Sequence, residues 1–212
     1  ALINFFAVRY AMAPADKEHR FGHGKAEALA GLAQALLILG SIGLLLSQTL
    51  GRLWDPVVIE NTPFGIIVMA ASMGLTGALV LLQRQVVKQT KSTAIEADSL
   101  HYTSDLLMNL GVIIALVLAT YGHYGADPYL ALSIGAYVIY SAWGIAKTAF
   151  DLLLDHELSD EQRQRITQMA ITHPLVLGMH DLRTRQSGHM QFIQLHLELQ
   201  DRMLLIQAHD VA

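Results

Sequence analysis

Four long apolar runs, at about 26–50, 63–82, 100–121 and 128–154, constrain this chain more than any other feature. Each is long enough to cross a hydrocarbon core of about 30 Å as an α-helix rising 1.5 Å per residue. Glycine and serine are scattered through them, as at Gly40, Ser41, Gly43, Gly74, Gly77, Gly135, Ser141 and Gly144. Small residues of this kind weaken helices in water and let helices approach closely in a bilayer. The competing reading is a buried bundle in a water-soluble protein, where four runs of similar length are unusual. Charge tells the same story. Charged residues make up 15% of the chain, against about 25% in a typical soluble domain. They are scarce between Ala26 and Leu154 and common after Asp155. The expected architecture is therefore an α-helical multi-span membrane domain over 1–154, followed by a small α/β domain over 155–212.

Basic residues in the connections give the orientation. Arg9, Lys17, Arg20 and Lys25 crowd the first connection, and Arg84, Lys88 and Lys91 the third. The stretches 54–62 and 122–127 hold no Lys or Arg, with Arg52 alone beside the former. The basic connections and the polar tail are expected in the cytoplasm, and Trp54, Tyr121 and Tyr124 in an aromatic belt on the far side. The opening run 1–8 reads as the tail of a helix that begins earlier. The last residues, 204–212, are an amphipathic run cut short. In the tail, Ser159 with Glu161 and Gln162 announces a helix to about Thr172, stopped by His173-Pro174. Strands are expected over 176–185 and 190–199 around a Gln186-Ser187-Gly188 turn, and a second helix from about Leu204.

The net charge of −4 makes nucleic acid an improbable partner, and the absence of cysteine excludes thiolate ligands. Any metal must be held by His, Asp or Glu, and ten histidines are present. His101 and Asp105, four apart, share one face at the start of the third long helix, and Asp98 could join them. Ionisable groups in a membrane helix cost about 2.5–3.5 kcal/mol each at its centre and persist where they pair or bind something. An imidazole and a carboxylate supply half of a tetrahedral zinc site. A hydrogen-bonded His–Asp pair fits the spacing equally well. Asp16, His19 and His23 form D-x2-H-x3-H in the first connection, either a metal site completed by water or a solvated loop. His180, His196 and His209 lie on the two tail strands and the last helix, as metal ligands or as structural histidines. His123, His156, His173 and His189 have no partner spacing. Lys25 and Asp155 read as ordinary flank charges. No nucleophile motif, phosphate loop or dinucleotide fingerprint occurs. A transporter, a membrane-embedded zinc hydrolase and a non-transporting metal sensor remain open, the hydrolase disfavoured because no HExxH motif is present.

Three separated strings then carry a family. Pro14-Ala15-Asp16, His19 and Phe21-Gly22-His23-Gly24-Lys25-Ala26-Glu27 resemble the cation diffusion facilitators. So do Ala97-Asp98-Ser99-Leu100-His101-Tyr102 with Ser104-Asp105, and the tail string from His180 to Gly188, which is similar to a bacterial zinc/proton antiporter branch. The resemblance covers essentially the whole chain. It implies six membrane helices, of which the four long runs are the third to sixth, and a cytoplasmic αββα domain in a homodimer. The implied activity is export of zinc, with cadmium or ferrous iron as alternatives, in exchange for protons across the bacterial inner membrane. The resemblance assigns His101 and Asp105 to the transport site, with two aspartates expected before Ala1. It assigns Asp16, His19 and His23 to a loop site. His180, His196 and His209 would belong to a cytoplasmic zinc site that also uses a His-x-Asp expected after Ala212. Lys25 and Asp155 become a charge interlock. Metal in the tail is expected to cross-link the dimer rather than be carried.

Overall fold

The computed structural model describes residues 2–52, 63–121 and 126–211. Five helices come first: α1 (Leu2–Ala11), α2 (Lys25–Arg52), α3 (Pro63–Thr90), α4 (Thr93–Thr120) and α5 (Ala126–Leu153). The last four run 28 residues each, about 42 Å at 1.5 Å per residue, more than a bilayer core requires. Lys25–Gly51 and Pro128–Leu153 are apolar enough among the described residues to cross it. Apolar side chains face outward along these helices, Leu44, Leu75, Leu81 and Tyr140 among them, which is the arrangement a lipid solvent asks for.

The expected runs fall on these helices, but two boundaries move. The second run continues to Thr90, and the third begins at Thr93 rather than near residue 100. Hydropathy registers only the apolar part of a helix, and both extensions are polar. Their ends have local causes. Lys91 turns into the left-handed region at φ 55, and the Ser92 hydroxyl accepts the Ile95 N–H at 3.3 Å, capping α4. His101 and Asp105 therefore sit in the third and fourth turns, not at the helix opening. Trp54, His123, Tyr124 and most of the two connections without Lys or Arg lie outside the described residues; Tyr121 is exposed.

Packing inside the membrane domain uses small side chains. Ala35, Ile38 and Ile42 of α2 meet Val138, Ala142, Ile145 and Ala146 of α5, with Ala97 and Leu100 of α4 closing the cluster. A Cβ at Gly135 would come within 2.5 Å of the Leu46 side chain, so α2 and α5 sit as close as they do because that position has none.

The tail is a two-helix, two-strand unit. Ser159 caps α6 (Asp160–Thr172), its hydroxyl accepting the Gln162 N–H, and His173 ends it before Pro174. Strands β1 (Gly178–Ser187) and β2 (Met190–Glu198) pair antiparallel, and α7 spans Leu205–Val211. Both strands exist as expected, but β1 is shifted two residues along, so Gln186 and Ser187 pair in the ladder and the reversal falls at Gly188-His189. Gly188 at φ +59 takes the turn that a side-chain-bearing residue adopts with strain. A bulge at Asp181-Leu182, with Asp181 at φ 53, interrupts the register between His180 and Arg183.

The hairpin turn presses on the membrane domain. A Cβ at Gly24 would lie 2.3 Å from the Ser187 carbonyl oxygen, and one at Gly188 would lie 3.0 Å from the Gly24 Cα. Thr90, Lys91 and Ser92 of the α3–α4 connection share a cavity with Gln186, Gly188 and His189. Both basic connections therefore lie on the side that carries the tail, in agreement with their charge. Gly24→Val is expected to lower the melting temperature by several degrees and to expose the 187–190 turn to protease, since no backbone there can yield. Unchanged melting and cleavage would show that this contact is not tight.

Candidate metal centres

The first connection folds around Asp16. Its Oδ1 accepts the backbone N–H groups of His19 at 2.6 Å and Glu18 at 2.9 Å, a turn closed by its own side chain. The His19 N–H first, then the Glu18 N–H and the two histidines, hold the Asp16 carboxyl below the usual carboxylate value against the opposing effect of desolvation. Asp16 is thus an anion positioned by the backbone. His19 Nδ1 lies 3.4 Å from Asp16 Oδ1, and His23 Nε2 lies 3.4 Å from Asp16 Oδ2. Ligand atoms about 2.0–2.1 Å from a tetrahedral zinc stand about 3.3 Å apart, so these spacings fit a zinc edge. Three ligand atoms lie within 4.8 Å of one another, the one such group of three among the described residues. His23 is buried, stacked edge-on against Tyr10 with ring centres 4.5 Å apart, and its Nδ1 has no hydrogen-bond partner among the described residues.

On α4 the His101 Nε2 and Asp105 Oδ2 are 3.8 Å apart, both half-exposed and on one face. Asp98 does not join them. It is buried, accepting the Gln83 amide at 2.8 Å and the Asn4 amide at 3.3 Å, so it ties α4 to α3 and α1. By helical angle Asp98 stays within about 60° of the face that His101 and Asp105 share, and it is its bonds to Gln83 and Asn4 that turn its carboxylate to α3 and α1 instead.

In the tail, His180 and His196 are register partners across the hairpin, with ring centres 5.2 Å apart. Glu198 stands beside them, its Oε1 3.0 Å from His180 Nδ1. No spacing rule in the sequence singles this carboxylate out, although it alternates with His196 on the same strand. His209 on α7 forms no cluster with this pair among the described residues. Asp181 is held below the usual carboxylate value by Arg183, whose Nε donates to it at 3.0 Å. The unpaired histidines behave as structural groups where described: His156 contacts the Glu157 carbonyl, and His173 Nδ1 accepts the Leu175 N–H.

Lys25 and Asp155 meet as an ion pair at 3.0 Å, and Lys25 also donates to the Leu153 carbonyl at 3.0 Å. Reading them as ordinary flank charges misses this contact, because their partners are far apart in sequence. It misses Arg185 as well. Its guanidinium reaches Asp155 at 3.3 Å and lies over the rings of Phe21, at 4.5 Å, and Phe192, at 4.9 Å. Burial raises the Asp155 carboxyl, and the two cations outweigh it, leaving it below its usual value. The linker beyond is stitched to β1: Glu157 accepts the Thr184 N–H at 3.0 Å and the Thr184 hydroxyl, which in turn accepts the Leu158 N–H at 3.0 Å.

Comparison with known proteins agrees with this layout. The cation efflux transmembrane domain matches residues 1–154, and the cytoplasmic domain of cation efflux proteins matches residues 158–212. The cation-efflux pump FieF of Shewanella oneidensis is 49% identical over 211 residues, which cover all of this chain and 71% of that protein. The proteins of the same name from Yersinia enterocolitica and Yersinia pestis are 48% identical over 212 residues, with the same coverage. The chain belongs to the cation efflux family, the cation diffusion facilitators, whose helical transmembrane domain is followed by a small cytoplasmic domain of helices and paired strands.

Proposed function

We propose that the protein exports a divalent transition metal, zinc foremost, across the bacterial inner membrane in exchange for protons, working as a homodimer by alternating access. Membership of the cation efflux family supports the coarse statement that it is a transporter rather than an enzyme. The observation that carries the finer reading is the His101–Asp105 pair, two ligand atoms on one face of a membrane helix. Nitrogen and oxygen ligands without sulfur suit zinc, with ferrous iron and cadmium as lesser candidates. Two further ligands from a neighbouring helix would close the shell. Proton exchange follows from the ligand chemistry. Histidine and carboxylate bind metal only when deprotonated, so a proton arriving at the site releases the ion. An imidazole with an ordinary value near 6.5 changes charge in the range where this is useful.

In this reading residues 1–154 carry the ion and residues 155–212 regulate. Asp16, His19 and His23 hold a resident zinc in the loop. His180 and His196, with His209 brought in on closure, hold metal that draws two tails together by neutralising charge between them. The name of the cytoplasmic domain's family, a dimerisation domain, supports a second copy. So do the apolar residues that α6 and α7 leave exposed, Met169, Leu205 and Ile206. The Lys25–Asp155 pair is the interlock between the two parts.

Zinc flux into proteoliposomes is the direct test for the transport site. The full-length protein with Asp105→Ala is expected to lose proton-coupled flux by about a hundredfold, because only three of the four ligands of the shell remain. Undiminished flux would sink the assignment. In the loop, His23→Ala should weaken zinc binding measured by titration about 10- to 100-fold while flux persists, and binding by the wild-type loop should fade as the pH drops and the histidines take up protons. Zinc binding unaffected by His23→Ala would place that ion elsewhere. For the tail, His180→Ala with His196→Ala should abolish the zinc-dependent shortening of the tail–tail distance measured between spin labels. A distance that shortens equally in the variant would count against metal cross-linking.

A further inference from the structure

The last turns of α3, the first turns of α4 and the second half of α5 line an open cavity of about 570 Å³ on the side of the membrane domain that carries the tail. Its rim holds three charges: Arg84 and Lys88 from α3, and Glu96 from α4. None of the three makes an ion pair or a side-chain hydrogen bond among the described residues. In the same wall lie Ser99 and Thr103, 6% and 7% exposed as residues, whose hydroxyl oxygens are open to the cavity and have no hydrogen-bond partner among the described residues. Most serines and threonines on these helices return their hydroxyl to the carbonyl four residues back, as Ser104, Ser141 and Thr148 do. Hydroxyls that face the cavity with no protein partner, beside three exposed and unpaired charges, give a polar ligand both donors and counter-charges.

The cargo route is not that partner. Glu96, Ser99 and Thr103 lie about half a turn around α4 from His101 and Asp105. We propose that this cavity binds a phospholipid headgroup, with the phosphate held by Arg84 and Lys88 and by the hydroxyls of Ser99 and Thr103, and the ammonium of an ethanolamine headgroup held by Glu96. Two cations and one anion around one cavity match a phosphate carrying a primary amine better than they match a bare anion. The membrane domain's surface supplies the rest. Val87 of α3 and Ile145 of α5 line the cavity and offer an apolar wall for the acyl chains. A lipid seated there would bridge α3 to α5, which itself packs chiefly on α2 and α4.

Native mass spectrometry of the full-length protein, delipidated and titrated with phosphatidylethanolamine, phosphatidylglycerol and phosphatidylcholine of identical chains, tests this. The expected order places phosphatidylethanolamine first. Phosphatidylcholine falls behind it because a quaternary ammonium donates no hydrogen bond to Glu96. Arg84→Gln combined with Lys88→Gln is expected to weaken phosphatidylethanolamine binding about tenfold. Glu96→Gln should erase the preference over phosphatidylglycerol while leaving a lipid bound. Ser99→Ala, which removes one buried hydroxyl and leaves the helix intact, should weaken all three lipids. Equal binding of the three lipids by the wild-type protein overturns the proposal without any variant. So does displacement of the lipid by millimolar inorganic phosphate, which would mark a site for a soluble anion.

Discussion

The carboxylate of Asp155 is the group on which the rest of the structure turns. It sits where α5 ends, in the left-handed region at φ 57, a conformation that costs a side-chain-bearing residue about 1–2 kcal/mol. In that conformation it touches Lys25 at the start of α2 and Arg185 on β1. One side chain thus joins both helices of the tightest membrane pair to the cytoplasmic hairpin. Its lowered pKa gives the sign of the pH dependence. The stability it contributes is fully present above the unfolded value of about 3.9 and is lost as the pH falls through the lower folded value, so the lock is closed at neutral pH. The side chains are over a third exposed, and solvent screening keeps the pair's own contribution small, about 1 kcal/mol or less. Its importance is geometric.

The contacts around it spread the lock. Arg185 is held between Phe21 and Phe192, and Gly24 lets the hairpin turn close on the loop. His23, a proposed zinc ligand, immediately precedes Gly24. An ion bound by Asp16, His19 and His23 therefore orders the stretch of chain that the hairpin clasps. The loop that would hold the ion and the hairpin that bears His180 and His196 are mechanically one unit, standing on the ends of α2 and α5. The buried Asp98, tied to Asn4 and Gln83, joins α1, α3 and α4 in a second unit that carries His101 and Asp105. In the proposed alternating access, this second unit would move against the first.

Much of this was legible in the sequence, and what was not has a common cause. Periodic apolar runs fix helices, so the membrane domain could be read unaided, apart from the polar turns at 83–90 and 93–99 that hydropathy does not register. Ser159 and His173-Pro174 fixed α6 because capping chemistry is local. The β1 register slipped by two residues because the turn depends on one residue, Gly188, and on a bulge at Asp181 that no alternation announces. The loop triad was visible as a spacing, and its backbone-held aspartate follows from a short-range turn. Asp98's true partners, Glu198's place beside His180, and the Arg185–Asp155–Lys25 lock were hidden, because each joins residues far apart in the chain. Spacing rules describe one helix or one strand at a time.

Hydrogen–deuterium exchange at neutral pH on the full-length protein with Asp155→Asn tests the central claim most directly. If Asp155 locks loop and hairpin into one unit, amides of residues 18–24 and 185–190 will exchange faster together and by similar factors, while those in the middle of α2 and α5 stay protected. Faster exchange confined to the hairpin, with the loop amides unchanged, would contradict it.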